Sequence, residues 1–338
     1  MSLATVLQSL PAVSNSTPLA RAVDYMRISI TDRCNERCLY CLPEQYQAWT
    51  PRENILTYEE ILAFVEIAVE RGFKHFRVTG GEPLLRREVS GFLRKLIQTP
   101  GVETVQLSTN GTLLPEMAED LYQAGLRRLN ISLDALDPVR YREISKGDVA
   151  SVLAGIRIAK TLGFSSIKLN TVLIRHKNET EIWPLVEFAA SQRIPIRFIE
   201  LMPVSLTEML TEENFLPVGE VMAMLSGRDK LIPQDEKMGH GPAKYYRLKK
   251  TGALVGFIGA LTNLHFCEAC NKVRLTADGH LRPCLGHHGE FDLKPALRPA
   301  LDKDGLRASL HQALAEKPPE HAFRDNWQPH RIMTAIGG

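Results

Sequence analysis

Six cysteines fall into two sets of three: Cys34, Cys38 and Cys41 within "TDRCNERCLYC" (31–41), and Cys267, Cys270 and Cys284 near the other end. Closely spaced thiols in a large chain suit a metal or an iron–sulfur cluster better than the disulfide framework of a small secreted domain. Structural zinc asks for four ligands, and the first set offers three. A cubane cluster has four irons, so three thiolates leave one iron open. An open iron can take a small molecule that chelates through an amine and a carboxylate, as S-adenosylmethionine does. The x3-x2 spacing, with "TGGEP" after the following strand, favours the cluster over three chance thiols or a zinc site that borrows a distant ligand. The second set has spacing x2 and x13, and His287 lies three residues beyond Cys284. Cys3His is a sound structural zinc site, so spacing alone leaves zinc and cluster open there.

The elements that must position these residues alternate from about residue 25 to 202. "MRISI" reads as a strand running into the first cysteine loop. "TYEEILAFVEIAVERGF" opens on Thr57 with Glu60 three residues on, a capping-box start to a helix. "HFRVTGG", "VETVQLSTNG", "RRLNISLDA", "SIKLNTVLI" and "PIRFIELMP" read as further strands with helices between them, one of which contains Pro184. About six strand–helix units imply a parallel sheet, fewer than the eight of a closed barrel. In such sheets the chemistry lies beyond the carboxyl ends of the strands. The cysteine loop, "GGEP", "STNG" and "SLDA" all fall there. After about residue 203 the rhythm breaks. "YYRLKKTGALVGFIGAL" reads as a hairpin turning near Lys250-Thr251-Gly252, and a short helix is expected near 303–315.

Composition is ordinary for a globular chain, with 44% hydrophobic and 24% charged residues. A net charge of +2 gives no bulk argument for binding nucleic acid or an acidic membrane. No apolar run reaches the length of a membrane span. The first 23 residues are Ser- and Ala-rich with Arg21 as their single charge, and read as a flexible tail rather than a secretory signal.

The first motif resembles that of the radical S-adenosylmethionine superfamily. By that resemblance Tyr40 packs near the adenine, Gly80-Gly81-Glu82-Pro83 contacts the methionine end, and Ser132 and Met202 touch S-adenosylmethionine. "FCEACNKVRLTADGHLRPCL" and the terminal "AIGG" are similar to the GTP 3′,8-cyclase family of molybdenum cofactor biosynthesis, over about residues 24–338. The resemblance implies an α/β fold: an incomplete (β/α)6 TIM-like barrel over 24–245. A C-terminal extension over 246–338 carries a second [4Fe–4S] cluster, its open iron facing the purine. Arg27, Arg77, Ser108, Lys168, Lys272, Val273 and Arg274 are then expected to contact GTP. Arg197, on the last barrel strand, is expected at the same mouth, with Gly337 and Gly338 threading in. Lys272 stands where the family usually has Arg, and Gly286 with His287–His288 where it commonly has an aromatic.

The implied reaction removes hydrogen from ribose C3′ of GTP with a 5′-deoxyadenosyl radical, and the C3′ radical attacks C8 of guanine. Implied partners are GTP, an external electron donor such as a flavodoxin-like protein, and a downstream cyclic pyranopterin monophosphate synthase. A homodimer in the cytoplasm is compatible; nucleic acid and membrane are not expected. Two other readings compete. A peptide-modifying radical enzyme would usually carry further cysteines, and a zinc-binding interaction module would not explain the first motif. Metal content and a nucleotide-against-peptide screen separate them.

Overall fold

The computed structural model describes residues 22–338 apart from 236, 237, 264, 269 and 326, so the tail assigned to 1–23 lies outside the described residues except for its last two positions. Six strands, β1 (Tyr25–Ser29), β2 (His75–Thr79), β3 (Thr104–Thr109), β4 (Arg128–Ser132), β5 (Ser166–Leu173) and β6 (Ile196–Glu200), pair in parallel in chain order. Helices connect them, as crossover geometry requires of parallel neighbours. The helix Tyr58–Glu70 starts with the expected reciprocal cap: Thr57 Oγ accepts from Glu60 N at 3.2 Å, and Thr57 N donates to Glu60 Oε2 at 2.7 Å. Pro184 falls in the first turn of the helix Ile182–Gln192, where it removes no intrahelical hydrogen bond.

The sheet continues beyond the six units. β7 (Leu231–Gln234), β8 (Lys244–Leu248) and β9 (Leu254–Ile258) form an antiparallel set whose last member pairs in parallel with β6. β10 (Lys272–Leu275) pairs in parallel with β1 on the other side, followed by β11 (His280–Arg282) and β12 (Phe291–Asp292). Among the described residues this makes one sheet of 12 strands with the six-strand barrel at its centre. The extension therefore pairs with both open barrel edges, which would otherwise present unpaired backbone. A boundary after residue 245 would cut β8, and the two regions share one sheet. The helix Lys303–Ala315 packs against Tyr58–Glu70, with Arg307 paired to Glu70 and Lys303 to Glu66.

Strand periodicity explains how an apolar fold holds a polar interior. Side chains alternate between faces of a strand. Arg27 lies between Met26 and Ile28, Arg77 between Phe76 and Val78, Arg197 between Ile196 and Phe198, and Arg274 between Val273 and Leu275; all eight flanking residues are fully buried in the main apolar core. One face of the sheet thus packs on helices while the concave face carries the cations. Val273 belongs to the helix-side core, so its side chain does not join the expected GTP contacts. The reason is its place between Lys272 and Arg274 on one strand.

Candidate active site

The first cysteine loop leaves β1 and is held from three sides. Arg37 N and Leu39 N donate to the carbonyls of Ser145 and Ile144 at 2.8 and 2.9 Å, Ser205 Oγ donates to Cys41 O at 2.6 Å, and Gly81 N and Glu82 N donate to Thr31 O and Arg33 O, each at 2.8 Å. The glycines of "GGEP" serve this packing. A Cβ on Gly81 would lie 2.3 Å from Arg33 O, and one on Gly80 2.6 Å from Thr31 O. These glycines line the cavity on one side and leave room for the cysteine loop on the other. Cys34, Cys38, Cys41, Tyr40, Gly80, Gly81, Ser108, Ser132, Met202 and Gly338 line one lobe of a cavity. The family-implied contacts for S-adenosylmethionine, scattered from 40 to 202, therefore converge.

Burial pushes the thiols up, Cys34 to about 12 and Cys38 and Cys41 also well above the usual range. Such thiols are poor free nucleophiles, and a bound cationic centre would deprotonate them. Three buried acids stand around this lobe, of which sequence reasoning singled out only Glu82, within "GGEP". Glu82 accepts from Leu84 N, Thr109 Oγ1 and Asn110 N at 3.0, 2.8 and 2.7 Å. Asp134 accepts from Tyr40 Oη at 2.7 Å and Val172 N at 2.8 Å; Glu36 accepts from Tyr141 Oη at 2.9 Å. Burial raises all three, to about 7, 6 and 8 respectively. The signal was present as Glu in "GGEP" and Asp in "SLDA", but their depth was not readable.

The second lobe opens from the first; Arg27, Asn170, Ile199, Met202, Arg274 and Leu285 line both. Cys267, Cys270 and Cys284 converge there. Lys317, absent from the sequence reading, donates to Lys272 O at 2.8 Å and Pro283 O at 2.7 Å, and lies 3.8 Å from Cys270 Sγ. It thus joins the segments bearing Cys270 and Cys284. His287 does not line this lobe; its Nε2 lies 3.0 Å from Glu320 O. A Cβ on Gly286 would lie 2.7 Å from Phe323 Cε1 and 2.8 Å from His321 Cβ, so aromatic rings from the C-terminal segment occupy the space beside it.

A cationic belt set by strand register runs from the junction of the lobes, at Arg27 and Arg274, toward the base of the barrel. Arg274, Arg27, Arg77 and Gln106 sit side by side on β10, β1, β2 and β3, while Asn130 pairs with Lys168 and Asn170 with Arg197. No carboxylate forms an ion pair with Arg27, Arg77, Lys168, Arg197, Lys272 or Arg274 among the described residues. Burial first, then Arg197 and Arg77, lowers Lys168 to about 8; burial and Arg282 lower Arg274 to about 10. Burial also lowers Lys272 to about 8 and Arg197 to about 10. Nε of Arg27, Arg77 and Arg197, Oγ of Ser108 and Oδ1 of Asn170 are buried with no hydrogen-bond partner among the described residues. Unsatisfied buried groups are costly; the three guanidinium N–H donors and the Ser108 hydroxyl suit an anion, whereas Asn170 Oδ1 only accepts and calls for a donor on the ligand. The Gly-Gly segment reaches the same belt. Arg27 donates to Gly338 O at 3.0 Å, Thr79 Oγ1 donates to the same oxygen at 2.6 Å, and Arg274 donates to Gly337 O.

A barrel with a three-cysteine loop at its mouth is the architecture of radical S-adenosylmethionine enzymes, and a model of the radical SAM superfamily matches residues 28–189. A model described as Molybdenum Cofactor Synthesis C matches residues 194–323. The GTP 3′,8-cyclase of Pelotomaculum thermopropionicum is 42% identical over 94% of this chain and 98% of its own length, and that of Moorella thermoacetica is 42% identical over the same shares. GTP 3′,8-cyclase 1 of Pseudomonas aeruginosa is 41% identical over 94% of this chain and 97% of its own. The chain belongs to the GTP 3′,8-cyclase family. Streptococcus suis SuiB bound to its precursor peptide SuiA shares the fold, with a TM-score of 0.57 at 15% identity over 91% of this chain and 76% of that one. No helix among the described residues is long and apolar enough to cross a membrane.

Proposed function

We infer that the chain cyclises GTP to (8S)-3′,8-cyclo-7,8-dihydroguanosine 5′-triphosphate, the first committed nucleotide of molybdenum cofactor biosynthesis. The observation that carries the site assignment is the belt of six cations, two of which, Arg27 and Arg274, line both cysteine-bearing lobes, with no paired carboxylate among the described residues. Cys34, Cys38 and Cys41 would hold a [4Fe–4S] cluster, and Tyr40, Gly81, Ser132 and Met202 would hold S-adenosylmethionine beside it. When bound, this pair supplies a 5′-deoxyadenosyl radical for removing the C3′ hydrogen of the ribose.

Arg27, Arg77, Lys168, Lys272 and Arg274 bind and neutralise the phosphate chain, and Arg197 and Ser108 complete the polar wall. Holding the phosphates fixes the ribose in abstraction range, which is the orientation term of catalysis. Gly337 and Gly338 fill the channel between the lobes and keep Arg27 and Arg274 aimed at it. Cys267, Cys270 and Cys284 would hold a second [4Fe–4S] cluster whose open iron anchors the purine. His287 engages Glu320 rather than the cysteine lobe, which supports three-thiolate ligation over Cys3His zinc. An external one-electron donor, a downstream cyclic pyranopterin monophosphate synthase as consumer of the product, and a cytoplasmic homodimer complete the proposal.

The test is anaerobic. Reductant, S-adenosylmethionine and GTP are expected to release 5′-deoxyadenosine together with the cyclised nucleotide, both dependent on GTP, from protein holding about eight irons per chain, as two cubanes require. Zinc in place of iron at the second site, or deoxyadenosine release indifferent to GTP, would overturn the assignment.

A further inference from the structure

Two belt cations are engaged at the base of the barrel, at the end opposite the first cysteine loop. Lys168 Nζ donates to Met238 O, and Lys272 Nζ donates to His240 O at 2.8 Å. The His240 ring lies on that of His75, with centroids 3.5 Å apart and planes inclined by 23°. Residues 238–242 therefore form a strap across the base, held by two lysines and by contacts of the His240 ring with those of His75 and Tyr25. Gly241 and Pro242 line the cysteine-bearing inner lobe and also a basal cavity of about 870 Å³. Met238 lines both that cavity and an outer groove of about 690 Å³, whose exposed cations are Lys160, Arg193 and Arg247. From the other end, the route to the inner lobe passes the first cysteine set and the Gly337–Gly338 segment, whose oxygens engage Arg27, Thr79 and Arg274.

We propose that the nucleoside triphosphate enters from the base of the barrel, through a port that the strap 238–242 closes, while S-adenosylmethionine enters from the mouth. The proposal rests on GTP being the substrate. The exchange that opens the port follows from charge. A carbonyl offers an ammonium only a dipole, whereas a phosphate oxygen offers a full charge and a stronger hydrogen bond. A phosphate chain arriving in the basal cavity takes Lys168 and Lys272 from Met238 and His240, and of these contacts the strap then keeps those of the His240 ring. The outer cations raise the local concentration of the polyanion at the port.

The experiment uses full-length, cluster-loaded protein without S-adenosylmethionine or reductant, so that binding is read without turnover. The pair His75→Cys and His240→Cys is bridged anaerobically with a bifunctional thiol reagent. Wild type and each single variant, treated alike, serve as controls. Capture of radiolabelled GTP is followed by rapid filtration. Bridging is expected to slow association about tenfold or more relative to the same double variant unbridged, with binding of S-adenosylmethionine unchanged. Unchanged GTP capture after bridging would overturn the port. Failure of treated and untreated wild type to capture GTP would overturn the substrate reading itself, and the port with it. A second variant avoids the strap altogether. Arg193→Glu with Arg247→Glu is expected to lower the association rate several-fold at low salt, leave dissociation unchanged, and lose its effect at high salt. Equal association rates at low salt would also overturn basal entry.

Discussion

The two cysteine lobes are built from the same ligand type in opposite electrostatic settings. The first is bordered by the buried acids Glu36, Glu82 and Asp134, the second by Arg77, Arg197 and Lys272, while Arg27 and Arg274 line both. A sulfonium carries positive charge and a triphosphate negative charge, so each lobe suits a ligand of opposite sign. The scaffolds differ as well. The first loop follows a parallel strand and docks on backbone donors of its own barrel. The second lies where the β/α rhythm has ended and depends on Lys317 and the rings of His321 and Phe323 from the last 22 residues. One lobe is a property of the barrel, the other of the way the extension closes it.

The largest expected break in this division comes from the cysteines. Cys34→Ala should abolish 5′-deoxyadenosine formation, whereas Cys267→Ala should retain uncoupled S-adenosylmethionine cleavage without cyclised nucleotide; chromatography of both products checks this, and equal loss in the two would dissolve the distinction. Next, Arg274→Gln removes a buried charged donor and should weaken GTP binding by roughly 30- to 1,000-fold, the equivalent of about 2–4 kcal/mol, and S-adenosylmethionine binding far less. Calorimetry with each ligand separates the two effects. Gly81→Ala acts on the first lobe alone. Its Cβ would meet backbone at 2.3 Å, and a loss of about 2–3 kcal/mol in denaturant stability is expected.

A smaller effect is a pH dependence confined to the belt. Lys168 is lowered to about 8 without an anion, so its ammonium is present below that pH and lost above it. A bound phosphate favours the ammonium and raises its pKa, so GTP affinity should be pH-independent below about 8 from this group. It should then fall by up to about tenfold per pH unit above it, until the raised pKa of the complex is passed. Lys272 is also lowered to about 8, so Lys168→Gln should bind more weakly at pH 7 and lose part of that slope, the rest going when Lys272→Gln is added; a double variant keeping the whole slope would assign it elsewhere. The smallest effect belongs to the first lobe. Asp134→Asn loosens the partner of Tyr40 Oη and should raise the KM for S-adenosylmethionine a few-fold while leaving that for GTP unchanged. Parallel changes in both would mean a general loosening.

Much of the barrel was legible because local patterns carried it. The capping box at Thr57, the strand–helix alternation and the hairpin around residue 251 are short-range signals, and each element formed where it was expected. The cations on the central strands were legible as charged residues between apolar ones. The side chain of Val273 lies in the helix-side core because a strand sends alternate side chains to opposite faces, which leaves its backbone for the expected GTP contact. The glycines of "GGEP" line the first lobe, and only the structure shows that the cysteine loop also packs against them. Glu36, Asp134 and Lys317 went unread because a single acid or lysine carries no sign of its depth. The strap at 238–242 went unread because its meaning lies in two lysines from distant strands.

The sequence by itself determined the ligand chemistry, through thiol spacings that only clusters or metals use, and the sheet, through period-two strands separated by helices. Tertiary structure alone decided that the two chemistries share one channel. β10 pairs with β1 across 247 positions of sequence, which brings Arg274 beside Arg27, and the Gly-Gly segment returns across 311 positions to the same arginine. Such contacts follow from which sheet edges remain open and from which buried charges lack partners. Those are properties of the assembled fold, which no local stretch of chain contains.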